Sequence, residues 1–187
     1  MANAVYPEYK EFLLLASANV SLNVNDATDG PFCRLVDTGV YTYSAAHDFA
    51  DDITGGVGTD QRIATPTVAN GTFDGDNLTY TAVSGASVEA LVIYRKNVGA
   101  NKTWKVVLYL DTSVTGLPLT PNGGDVTITW NASGIFTVSD GEVKEHIVQV
   151  GQVGPAKIYE FNYRGQKQRQ VGFIAQQVEQ FAPDAVI

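Results

Sequence analysis

Residues 88–112 read VEALVIYRKNVGANKTWKVVLYLDT, and two runs inside them decide the fold. ALVIY (90–94) and VVLYL (106–110) are continuously apolar and rich in β-branched and aromatic side chains. Each is too short for a buried helix and lacks the alternation of a half-wet strand. They therefore predict two central strands buried on both faces, separated by the turn-forming stretch NVGANKT.

Outward from this pair the same texture continues. RIATPTVANGTF, DNLTYTAV, DVTITWNA and GIFTV are further short runs, punctuated by NG, DGD, SGAS, GLPLTPNGG and SG. DVTITW alternates and predicts a strand with one wet face. Turn signals recurring every ~8–12 residues predict an antiparallel β-sandwich. Upstream, FCRLVDTGVYTYS reads as a strand, a turn and more extended chain, and TGGVGTD as a glycine-rich loop. Two short helices are expected. One spans Pro7–Ala18, with Tyr9, Phe12, Leu13 and Ala16 on one stripe. The other is SAAHDFADDI, with Ser44 as its N-cap.

Composition agrees. Apolar residues make up 44% and charged residues 17% of 187, with 18 glycines. Net charge is −8. Residues 1–138 carry 7 basic and 14 acidic side chains, and residues 139–187 carry 5 and 6, so the acidity belongs to the first part. A surface of that sign repels phosphate backbones and argues against nucleic-acid binding. Cys33 is the sole cysteine, which excludes an intrachain disulfide and a cysteine metal cluster; it is expected as a small buried apolar residue. Glu8, Lys10 and Glu11 precede FLLLASA, so no signal peptide is expected there. No run approaches the ~20 apolar residues of a membrane span, and membrane insertion is not expected.

After Val138 the texture changes. Turns thin out, Gln, Lys and Arg increase, and VGFIAQQVEQFAPDAV predicts a helix over about 173–181, with Ile174, Val178 and Phe181 on one stripe and Pro183 ending it. The expected organisation is a β-sandwich domain over 1–138 and a small α+β module over 139–187. At the boundary stands SDGEVKEHI (139–147). Taken alone, SDGE is a capping box: Ser139 would cap a helix starting at Asp140, with Glu142 reaching back and Val143 and Ile147 on one face.

Three pieces of this tail resemble the endosialidase-type intramolecular chaperone of phage tail fibres and tailspikes. They are SDGEVKEHI, KIYEFNYRG as its central strand, and VGFIAQQVEQFAPDAV as its helix, in the family's order and spacing. The resemblance covers Ser139–Ile187. It implies a homotrimer-building module that assists the preceding β-rich part and then cuts itself off before the serine. Ser139 matches the nucleophile and Lys144 the lysine that assists it. A serine hydroxyl is a poor nucleophile until a base takes its proton, and a lysine desolvated in a trimer interface is such a base. The implied activity is at most a single self-cleavage, with no turnover enzyme. Complete modules of the family continue past the helix motif, so a partial module is expected here.

Residues 1–138 resemble a group of small phage virion proteins. LVDTGVYTYSAAHDFADDI, VEALVIYRKNVGANKTWKVVLYLDT and LPLTPNGGDVTITWNASGIF carry that likeness. It implies a virion location, after assembly in the host bacterial cytoplasm, and no mechanism.

Other constellations have plain readings. His47 with Asp48, Asp51 and Asp52 offers metal-like spacing, but a solvated helix face accounts for it. Asp74–Asn77 (DGDN) lacks the glutamate of a calcium loop and reads as a β-turn. His146 forms no Ser-His-Asp order. Arg164, Lys167 and Arg169 are too few for a nucleic-acid patch. Tyr94, Trp104, Tyr109 and Trp130 are placed in strands as core residues; exposed together, they would suggest a carbohydrate or subunit interface. No cofactor or metal is expected. The expected function is a structural part of a phage virion, in a trimeric tail fibre, spike or tail-tip appendage. Its partners would be copies of itself and other virion proteins, with a host surface glycan as a further candidate. The alternative is a capsid decoration or head–tail joining protein. A glycan-degrading enzyme is disfavoured, because no paired carboxylates can be identified by spacing.

Overall fold

A computed structural model describes residues 3–112, 114–138, 144–153, 156–163 and 169–172, with side chains described through 138 and at 148–150 and 160. Among these residues the fold is mainly β, with antiparallel sheets and one short N-terminal α-helix. The chain divides into two compact units, one made of residues 1–68 and 73–135, the other of 69–72 and 136–187.

The first unit is built on the two apolar runs. Strands β1 (Ala4–Val5), β2 (Gly30–Val36), β3 (Gly56–Arg62), β7 (Ala90–Lys96) and β8 (Lys105–Leu110) form one sheet in the order β1-β8-β7-β2-β3. Leu91 pairs with Leu110, and Leu35 with Leu91. Leu35, Leu91, Ile93 and Val107 have no exposed surface, the expected state of strands covered on both faces. Strands β6 (Leu78–Tyr80) and β9 (Val126–Ile128) form a separate ladder. Tyr80 carries its hydroxyl from that ladder to the Cys33 carbonyl at 2.9 Å, so the two share a core.

Helix α1 (Pro7–Leu14) is shorter than the expected Pro7–Ala18. Its end explains why. Ser17 donates its amide to Phe12 O and Ala16 donates to Leu13 O, the two bonds of a Schellman cap, with Ala16 at φ 48°. The second expected helix is absent. Only Ala50–Asp52 forms a 3-10 turn. The chain before it is held in extended form against β8: Val106 donates to Asp48 O, Ala50 donates to Trp104 O, and Phe49 bridges Lys105. Strand pairing outweighs the weak helical preference of a segment this short. The glycine-rich loop is also corrected, since GVGTDQR is strand β3. Gly58, at φ 73°, lies where the β2–β3 register shifts between Cys33 and Leu35. Its glycine therefore marks a bulge rather than a loop.

Strands β4 (Thr67–Ala69), β5 (Thr72–Asp74) and β10 (Phe136–Thr137) make a three-stranded sheet ordered β10-β5-β4. In the second unit, β11 (Lys144–Val153), β12 (Ala156–Tyr163) and β13 (Arg169–Gly172) form an antiparallel sheet with β12 in the middle. KIYEFNY, read as a central strand, lies in that middle strand. The helix that a Ser139 cap would start does not run through 144–147, because Lys144–Val153 is extended and paired with β12. The helix expected over 173–181 lies outside the described residues.

Candidate functional site

The residues the tail resemblance singles out divide between described and undescribed chain. Lys144 opens β11 and pairs across from Tyr163. Ser139 lies outside the described residues, as do Arg164 and Lys167. Arg169 opens β13 opposite Asn162, and His146 is a residue of β11. Among the described strands β11 lies at an edge of its sheet, and its register against β12 shifts twice, between Glu145 and Val148 and between Gln149 and Gly151. Val148 and Val150 are 52% and 51% exposed on that edge.

The chain reaches this sheet through Val138, whose amide donates to Gly71 O at 2.8 Å. The Thr72 and Thr137 hydroxyls are 2.9 Å apart. The stretch just before Ser139 is thus held as a strand by the Asn70–Gly71 turn.

A second feature was not legible in the sequence. On the β2–β3–β7 surface an open groove of about 530 Å³ is lined by Phe32, Arg34, Asp60, Tyr94, Lys96 and Trp104. Tyr94 and Trp104 stack with ring centroids 5.6 Å apart and planes 4° from parallel. The Lys96 ammonium lies 4.7 Å from the Phe32 ring centre and 4.9 Å from that of Trp104. Arg34 donates through Nε and Nη2 to both carboxylate oxygens of Asp60, at 2.9 to 3.1 Å, and through Nη1 to Ala50 O and Ile53 O. The Tyr94 hydroxyl donates to the same Asp60 at 2.7 Å. Burial works against the Arg34 charge, and the bonds to Asp60 outweigh it, raising the guanidinium above its ordinary value. Asp60 is satisfied from within the fold, which makes this first a structural brace. The groove's polar and aromatic lining is the wrong chemistry for hydrolysis by two carboxylates, since Asp60 is its one acid among the lining residues.

The remaining constellations take fixed places. Tyr94 and Tyr109 are buried, whereas Trp104 and Trp130 are half-buried and lie beside strands rather than in them. His47 Nδ1 is 2.8 Å from the Tyr41 hydroxyl, which is itself 2.7 Å from that of Tyr6. The Asp52 carboxylate accepts the amides of Asp48 and Phe49. The β-turn expected over Asp74–Asn77 is not formed as such: Asp74 ends β5, and the link to β6 is tied to Trp130, whose indole donates to Asp76 O at 3.0 Å and whose amide donates to Asn77 Oδ1 at 2.9 Å. Among the described residues no group of three or more His, Cys, Asp or Glu could hold a metal ion. Among them, too, no helix is long and apolar enough to cross a membrane.

Residues 139–187, about a quarter of the chain, match the family described as chaperone of endosialidase. No curated protein matches the chain.

Proposed function

We propose that this chain is a structural component of a bacteriophage virion, part of a trimeric tail fibre, spike or tail-tip appendage, and that residues 139–187 assist trimer assembly. The observation that carries the reading is the family match over those residues, whose description is that of a folding chaperone. Strand β11 supports it. At an edge among the described strands, it presents two half-exposed valines, apolar surface of the kind that recruits another copy of a chain.

The self-cleavage chemistry follows from residue order. Ser139 stands directly after the Val138 carbonyl, so its Oγ attacks that carbon through a five-membered ring. Lys144, desolvated by assembly and therefore unprotonated, takes the hydroxyl proton and passes it to the Ser139 nitrogen as the C–N bond breaks. Water then hydrolyses the ester, leaving a Val138 carboxylate and a free Ser139. Assembly gates the cut, because only the assembled state desolvates the lysine.

Light scattering on the purified chain gives a trimer under this reading; a monomer at micromolar concentration sinks it and favours the decoration alternative. Intact mass gives a break between Val138 and Ser139. Ser139→Ala removes the break, and a break that persists excludes Ser139 as nucleophile.

A further inference from the structure

The hairpin joining β4 to β5 turns on Asn70 and Gly71, at φ 52° and 76°. Two positive angles on an Asn-Gly pair are the mark of a type I′ turn. This turn lies against the chain one residue short of the proposed cut. Val138 donates its amide to Gly71 O at 2.8 Å, and the Thr72–Thr137 hydroxyl pair closes the same ladder at 2.9 Å. A Cβ built on Gly71 would stand 2.6 Å from Val138 O. The glycine backbone is therefore packed directly on the carbonyl oxygen that Ser139 must attack across, at a distance no other residue permits.

We propose that the Asn70–Gly71 turn is a clamp that positions the Val138 carbonyl for cleavage, with Gly71 as a positioning residue. The proposal rests on the self-cleavage reading above. The amide bond holds the Thr137–Val138 peptide on the ladder, and the close approach of Gly71 limits the directions the Val138 carbonyl can take about Cα. Attack on a carbonyl is sensitive to that alignment, and a misplacement of about 1 Å can cost ~100-fold in rate. The turn lies nearly seventy positions before the junction, so cleavage would also require the β4–β5 hairpin to be folded first.

The test follows intact mass over time on the full chain, with melting temperature and exchange of the Val138 amide measured in parallel. Gly71→Asn keeps a residue that tolerates positive φ but places a Cβ on the oxygen; it slows the cut at least tenfold with its melting temperature unchanged and Val138 protection lost. Asn70→Gly preserves the turn and cuts at the wild-type rate. A Gly71→Asn chain that cuts as fast as wild type overturns the clamp and leaves the self-cleavage reading standing. A wild-type chain that never cuts overturns both. If Gly71→Asn does not fold, Thr137→Val decides, since it loosens the same ladder without touching the turn: a slowed cut supports the clamp, and an unchanged rate overturns it.

Discussion

Asp60 shows what a single residue contributes here. Its carboxylate receives Arg34 twice over and the Tyr94 hydroxyl besides, and its side chain is 22% exposed. Removing it strands a guanidinium and a phenol that the fold has already desolvated, so the loss exceeds that of a surface ion pair. Asp60→Ala is expected to lower stability by about 2 kcal/mol, read from chemical denaturation, and a change within about 0.5 kcal/mol would mean water replaces the carboxylate. None of this was visible in the sequence, where Arg34 and Asp60 stand 26 residues apart and Asp60 closes what reads as a glycine loop. Cys33 is the opposite case. Its reading as a small buried apolar residue holds, and burial pushes its thiol up to about 12.

At the scale of elements, the apolar runs dominate and the short polar segments yield to their neighbours. Strands β7 and β8 lie where ALVIY and VVLYL place them, because continuous burial has no alternative outlet. The segment 44–53 has helical residues but too few turns to hold a helix, and backbone bonds to β8 claim it instead. Strand β3 was hidden because a bulge and a loop use glycine for the same reason, its access to positive φ. Strand β11 gives the prediction that belongs to this scale. Replacing Val148 and Val150 with Lys puts two charges on the exposed edge while leaving the β12 pairing in place. If the chain forms the proposed trimer, the double variant is expected to shift it towards monomer by at least tenfold in light scattering or sedimentation. An undiminished trimer would place the assembly contacts elsewhere.

The first unit as a whole carries a tyrosine cluster that ties its N-terminus to its sheet. Tyr6 and Tyr41 share a 2.7 Å hydrogen bond, and Tyr43 and Tyr109 pack around them with ring centroids 5.1 to 6.2 Å apart. Burial raises the hydroxyls of all four, Tyr41 to about 12. A hydroxyl whose ionisation folding suppresses contributes its full stability below the unfolded tyrosine value of about 10 and loses it as pH rises through the folded value. The melting temperature is therefore expected to fall between pH 10 and pH 12, and Tyr41→Phe to flatten that fall. An unchanged slope in the variant would show that the cluster ionises freely.

By itself the sequence determined the mainly β class, the two central strands, the short first helix, the acidic character of residues 1–138 and the likeness of residues 139–187 to the chaperone family. Each of these rests on local composition, periodicity or an ordered motif, which survive without knowledge of contacts. Only the tertiary structure decided the Arg34–Asp60 brace, the aromatic groove beside it, the bulged strand in place of a loop, and the Gly71 backbone set against Val138. These depend on residues far apart in the chain meeting at hydrogen-bond distance, and sheet register, which sets those meetings, is fixed by the packing of the whole unit rather than by any one segment.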